Sequence, residues 1–197
     1  VVVVMTGLSF HLFLKLHRRV PPVDVIIMKA GSPYSIWEDL VKADKAVVGT
    51  SAVRRIAQLQ SKYPNLTFTD IRGNLNTRLK KLDDPEGPYD AIILAKAGII
   101  DWTGTIEFTG TLTNLNPFHQ FNYFFDFIQE LRCDECLHAV GQGALAVECK
   151  ADDLEVLQLL KELNHKDTVL SVMAERALMR KMVKKYILIA SSFAMLI

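Results

Sequence analysis

Residues 47–98, VVGTSAVRRIAQLQSKYPNLTFTDIRGNLNTRLKKLDDPEGPYDAIILAKAG, decide the fold. Two strand-to-helix turns follow each other within this stretch. Residues 46–49 are a short apolar run, and Ser51 is placed to cap a helix reaching about Tyr63, with Val53, Ile56, Ala57 and Leu59 on its apolar side. Pro64-Asn65 stops that helix, and residues 66–71 alternate apolar and polar as a half-exposed strand does. Asn74 caps a second helix to about Leu82, residues 84–88 form a loop, and residues 89–95 (YDAIILA) read as a central apolar strand. The succession strand, helix, strand, helix, strand predicts a parallel α/β sheet with right-handed crossovers.

Working outward, residues 23–28 (VDVIIM) are a candidate buried strand and residues 35–41 a short helix. Residues 102–131, rich in Thr, Asn and Phe, carry no assignable pattern. Residues 138–150 (HAVGQGALAVECK) read as a glycine-hinged turn running into a strand. Residues 152–163 and 167–184 are amphipathic helices. Leu154, Val156, Leu157, Leu159, Leu160 and Leu163 mark the buried side of the first, and Leu170, Met173, Ala174, Ala177 and Leu178 that of the second.

The chain has 197 residues, 50% of them hydrophobic and 23% charged, and a formal charge of +1. That composition belongs to a folded soluble protein of one full domain and part of another. So small a charge excludes a field that gathers nucleic acid over the whole surface, so an anion site must be local. Aromatics do not interleave with the basic residues, there is no GxxxxGK[ST], and Gly141-Gln142-Gly143 is only a GxG. Nucleotide and nucleic-acid partners are therefore not expected.

Cys133, Cys136 and Cys149 are too few for a disulfide scaffold. The first two have CxxC spacing, but no second ligand pair accompanies them and they follow aromatics rather than opening a helix, so no metal or redox site is expected. The apolar tail 186–197 falls short of the roughly 20 residues a membrane helix needs. The amino end is apolar first and basic afterwards, the reverse of a secretory signal. It begins with valine, which reads as an incomplete start. A cytoplasmic or organelle-matrix monomer without a membrane partner is expected.

The two turns carry the chemistry. In an open parallel sheet, ligands bind beyond the carboxyl ends of the strands, where helix amino termini attract anions. Ser51, Arg54 and Arg55 stand at the first turn, and Arg72, Gly73 and Arg78 at the second. A cation in the first turn of a helix opposes its dipole by roughly 0.3–1 kcal/mol, so two in succession make sense when an anion sits between them. Arginine is the residue for gripping planar carboxylates, and Gly73 allows close approach to the backbone. The four arginines are expected to face one cleft.

GTSAVRR, IRGNLNTRLKKLD, YDAIILAKAG, HAVGQGALAVEC and AERALMR fall in one order along the chain. In this they resemble the successive motifs of the porphobilinogen deaminase (hydroxymethylbilane synthase) family. The resemblance is close over residues 47–98 and 136–180, roughly half the chain. It implies three α/β domains in that family, the first two resembling the lobes of a periplasmic binding protein. It also implies a transferase of porphyrin and heme biosynthesis, condensing four porphobilinogen units into hydroxymethylbilane with loss of ammonia. Growth starts on a dipyrromethane cofactor joined by a thioether to a cysteine. Carried over by motif, Ser51, Arg54, Arg55, Arg72, Gly73 and Arg78 hold carboxylates of the cofactor, of porphobilinogen and of polypyrrole intermediates, and Gln142 lies near the cofactor at an interdomain hinge. Residues 1–22 then read as a remnant of domain 1, 23–135 as domain 2, 136–150 as hinge and return strand, and 151–197 as the start of domain 3.

The departures bear on catalysis. Residues 11–20 (HLFLKLHRRV) contain no carboxylate where the family has its general acid, and an ungapped count puts Lys15 there. Lys184-Lys185-Tyr186 stands in place of the Gly-Gly-Cys that carries the cofactor, and a phenol does not replace a thiol as nucleophile. Ile100-Asp101-Trp102 replaces a usual arginine, and the connection 103–132 is longer than the family's. The expectation is an incomplete or divergent copy, from a truncated or mis-spliced coding sequence, inactive as it stands. The alternative is a non-catalytic module that binds polycarboxylates.

Overall fold

The structure, a computed structural model, describes residues 12–16, 18–103, 128–150 and 153–183. These form two compact units, one of residues 23–137 and one drawn from the described parts of 1–22 and 138–197.

The larger unit is an α/β layer structure. Its strands are β2 (Asp24–Met28), β3 (Val47–Gly49), β4 (Thr67–Thr69), β5 (Ala91–Ala95) and β6 (Ile128–Glu130), in the order β4-β3-β5-β2-β6. Its helices are α1 (Trp37–Leu40), α2 (Val53–Lys62), α3 (Leu75–Asp83) and α4 (Lys96–Thr103). The two innermost long strands are apolar except for Asp24 at the head of β2, because both faces of the sheet are covered. Ile26, Met28, Ala91 and Ile93 face one core with Trp37, Leu40 and Leu59. The alternate residues Val25, Ile27, Ile92 and Leu94 face the other, with Leu79, Leu82 and Ile99. Gly49 ends β3 against a neighbour that admits no side chain, since a Cβ would lie 2.9 Å from both Ile92 and Tyr89.

The parallel α/β reading holds for β4, β3 and β5, which are joined through α2 and α3. It does not extend to β2, which runs antiparallel to both β5 and β6. A strand buried on both faces has the same composition whichever way it runs, so composition alone left its direction open. Helix α4 follows β5 directly, and β6 emerges from the stretch that showed no pattern. Residues 104–127 of that stretch lie outside the described residues.

In the smaller unit β1 (Leu12–Leu16) pairs antiparallel with β7 (Ala146–Lys150), from Leu12 opposite Lys150 to Leu16 opposite Ala146. Helix α5 (Leu154–Leu159), a 3-10 turn (Leu160–Leu163) and α6 (Lys166–Val183) follow. Lys15 thus stands inside a strand, opposite Val147, and Tyr186 lies outside the described residues.

The expected faces of three helices need correcting. On α2 the buried residues are Arg55 and Leu59, while Val53 is exposed, because Arg55 is drawn inward by partners described below. On the segment 154–163 Leu160 is buried as expected, but Leu154 and Leu159 are each 75% exposed; on α6 Leu170 and Met173 are exposed, and Thr168, Val172 and Glu175 are buried instead. Amphipathic spacing locates an apolar face without saying what covers it. No helix among the described residues is long and apolar enough to cross a membrane.

Candidate functional site

The site begins where β3 and β4 end side by side. Thr50 N–H donates to Thr69 O, which continues the ladder one residue past the strand. Ser51 was expected to cap α2, but the cap position belongs to Ala52, which offers no side-chain acceptor. The Ser51 hydroxyl instead donates to Ile71 O at 2.8 Å and accepts from Ile71 N–H at 3.1 Å. It fastens the first turn to the second.

The two arginines that open α2 are held on the protein's own carboxylate. Asp24, the first residue of β2, is fully buried. Its Oδ2 accepts from Arg54 Nη2 at 2.5 Å and its Oδ1 from Arg55 Nη2 at 2.7 Å. The anion that the sequence called for between Arg54 and Arg55 is present, and it is internal. Burial alone raises the Asp24 carboxyl, but the Arg55 and Arg54 guanidinium groups outweigh it and hold the group below its ordinary value. Arg54 Nη1 also donates to Leu137 O, and Gln58 closes both backbone groups of Leu137, so α2 is bound to the 131–137 turn. Arg55 Nη1 donates to Ile93 O at 2.9 Å on β5. Its Nε–H is buried and has no hydrogen-bond partner among the described residues. An unmet buried donor costs about 1–3 kcal/mol, so this is the place in the cluster where an acceptor is missing.

Cys136 packs against the same cluster, its Sγ 3.3 Å from Arg54 Nη1 and 3.6 Å from Asp24 Oδ2. Burial pushes its thiol up to about 11, with the Asp24 charge adding to the effect against the two arginines. It is a buried thiol that is hard to ionise. Within the same turn Glu135 accepts from Trp37 Nε1 at 2.8 Å and from Arg132 N–H at 2.8 Å.

The second turn is open. Gly73 has φ +123°, and a Cβ there would meet Thr77 at 2.7 Å, so the position admits only glycine without rearrangement. Asn74 caps α3 as expected, its Oδ1 accepting from Thr77 N–H at 2.9 Å. Arg78 Nε donates to Gly73 O at 2.8 Å, and Arg72 Nε to Asp70 Oδ2 at 2.7 Å. The Arg72 side chain is 81% exposed, against 13% for Arg54 and 10% for Arg55. The four arginines expected to line one cleft are therefore of two kinds. Arg55 is buried, Arg54 is partly buried, and both are internally clamped, because each finds an acceptor on β2, β5 or the 131–137 turn. Arg72 is exposed and Arg78 half-buried.

Gln142 belongs to the smaller unit. It sits in a turn whose glycines, Gly141 and Gly143, have φ +74° and +77°. Its Oε1 accepts from Ala139 N–H at 3.1 Å, so its side-chain carbonyl closes its own turn. The turn is held from α6. Glu175 accepts from Gly141 N–H at 2.7 Å and pairs with Arg19, whose Nε donates to Gln142 O at 2.9 Å. Burial raises the Glu175 carboxyl, but His138, Arg19 and the Gly141 N–H together bring it down to about 2.

Asp24 and Glu175 were missed in the sequence. Asp24 did leave a signal, a carboxylate at the head of an otherwise unbroken apolar strand, which a buried strand tolerates only with cationic partners.

Residues 6–158 match the family model described as porphobilinogen deaminase, dipyromethane cofactor binding domain. The chain is 43% identical over 163 residues to the porphobilinogen deaminase of Kluyveromyces lactis, covering 83% of this chain and 43% of that protein. It is 40% identical over 163 residues to that of Saccharomyces cerevisiae, with the same shares, and 46% identical over 136 residues to that of Synechococcus elongatus, covering 69% and 36%. The chain thus spans less than half the length of these relatives. Among solved structures it is loosely similar to an arginine transport system periplasmic binding protein from Legionella pneumophila, with 15% identity over 84% of this chain and 65% of that one and a TM-score of 0.41.

Proposed function

We propose that this chain, which belongs to the porphobilinogen deaminase family, supplies the family's carboxylate-holding half-site for porphobilinogen and the polypyrroles made from it. The family's overall reaction condenses four porphobilinogen units into hydroxymethylbilane with loss of ammonia. Each pyrrole carries an acetate and a propionate, so the growing product is a polyanion that needs several fixed cationic or N–H donors. The single observation that carries the reading is the buried, unpartnered Nε–H of Arg55 in the first turn of α2, on a guanidinium whose two Nη corners are already fixed.

The donor set fits a dipyrromethane bearing carboxylates. Arg55 Nε, the exposed guanidinium group of Arg72, the half-buried one of Arg78, and the side-chain-free backbone at Gly73 would hold those carboxylates. Arg54 and Ser51 act behind them, Arg54 through Asp24 and Leu137, Ser51 through Ile71. When bound, the dipyrromethane supplies the pyrrole end that the family's reaction extends. Cys136 is no candidate for its attachment, since the thiol is buried and hard to ionise.

As it stands the chain binds rather than condenses. Tyr186 occupies the place of the attachment cysteine, and the ungapped count offers Lys15 in place of a carboxylate that would balance a cationic pyrrole intermediate. Offered porphobilinogen, the purified chain is expected to bind it saturably and release no ammonia. Steady ammonia release would overturn the binding-only reading, and the absence of saturable binding would overturn the half-site itself.

A further inference from the structure

Asp24 lies outside every motif that drew attention in the sequence, yet Arg54 and Arg55 both converge on it. We propose that Asp24 is a positioning residue, clamping Arg54 and Arg55 by their Nη2 corners so that the Nε edge of Arg55 is held ready for a ligand carboxylate. This rests on the carboxylate-binding reading above and identifies the donor on which that site depends.

The geometry leaves Arg55 one orientation. A guanidinium group is a rigid planar fork, so fixing two of its corners fixes the third. Nη2 is fixed by Asp24 Oδ1 at 2.7 Å, and Nη1 by Ile93 O at 2.9 Å. These acceptors come from β2 and β5, adjacent strands of the sheet, so the fork is braced against the most rigid part of the unit. Asp24 is itself immobile. Its backbone carbonyl accepts from Leu131 N–H at 2.9 Å, and its side chain is fully buried with Arg54 on its other oxygen. Only a carboxylate can serve in this place, because both of its oxygens accept. An asparagine would turn an NH2 group toward one of the two guanidinium groups and rotate it away.

The role separates cleanly from a general electrostatic one. Asp24 is negative, so removing its charge should tighten the binding of an anion if Asp24 acted only through its field. Removing a clamp should weaken binding, because Arg55 then loses the orientation that presents Nε. The two accounts predict opposite signs for the same substitution.

Calorimetric titration of porphobilinogen into the wild-type chain and into Asp24→Asn, Arg55→Ala and the double variant reads that sign. Asp24→Asn is expected to weaken binding at least tenfold, and to cost nothing further once Arg55 is alanine. Equal or tighter binding by Asp24→Asn, or losses that add in the double variant, would overturn the clamp while leaving the half-site standing. No binding by the wild type would overturn the half-site and the clamp with it. Because a buried substitution can unfold the unit, a wild-type measurement stands beside these. The Arg55 Nε–H resonance in a 15N spectrum is expected to be protected from exchange in the free chain and to shift as porphobilinogen saturates it. A resonance that does not move at saturation would overturn the proposal without any variant.

Discussion

Replacing Glu175 by glutamine should remove a pH-dependent share of the stability of the smaller unit. Glu175 is 5% exposed, and it gathers Arg19, His138 and the Gly141 N–H onto one carboxylate. Its carboxyl is held at about 2 against an ordinary 4.5. At about 1.4 kcal/mol per tenfold in the ionisation constant, that depression corresponds to roughly 3 kcal/mol of folding free energy at neutral pH. The sign follows from the depressed value. The contribution is complete above the unfolded value of 4.5 and is lost as pH falls from there through about 2. Urea unfolding of the wild type and Glu175→Gln should therefore differ by roughly 3 kcal/mol at pH 7, and the gap should narrow steadily below about pH 4.5. Since Glu175 also fixes Gly141 and, through Arg19, the carbonyl of Gln142, amide exchange in residues 139–143 should rise in the variant at pH 7. An equal stability at pH 7, or a gap that stays constant down to pH 3, would refute the reasoning.

Three further outcomes follow from single contacts. Gly49→Ala should destabilise the larger unit by about 1–3 kcal/mol in chemical denaturation, because the new Cβ would press on Ile92 and Tyr89 at 2.9 Å inside a packed sheet. Asn74→Ala should cost about 1 kcal/mol by the same measurement, through loss of the Thr77 N–H acceptor at the start of α3. Under native conditions Cys133 should react with a thiol reagent and Cys136 should not, as read by mass spectrometry of labelled peptides, because Cys133 is exposed and Cys136 is buried with its thiol pushed up to about 11.

The fold of the larger unit was legible where local chemistry and tertiary packing agree. Asn74 caps the helix its position announced, and residues 91–95 form the central strand that their apolar run described. Direction was not legible for β2, since Val25 and Ile27 on one face and Ile26 and Met28 on the other are equally at home in either ladder. The arginine turns were legible as a demand for an anion, because two cations in the first turn of α2 oppose the helix dipole. What remained hidden was that the first anion is Asp24, thirty residues earlier and on a strand antiparallel to its neighbours. Long-range pairing of that kind leaves only a weak trace in one sequence, a charged residue where an apolar one would have served. Ser51 shows the same limit. Its type announced a helix cap, and its hydroxyl went instead to Ile71, which tertiary structure alone brings within reach.

The claim on which everything else depends is that the exposed and buried arginines at these two turns recognise the carboxylates of a pyrrole. It is tested most directly by titrating the unmodified chain with porphobilinogen and, in parallel, with its dimethyl ester, at low and high salt. The account predicts saturable binding of the free acid that weakens as salt is raised, and at least tenfold weaker binding of the ester. Equal binding of acid and ester, or binding of neither, would contradict it.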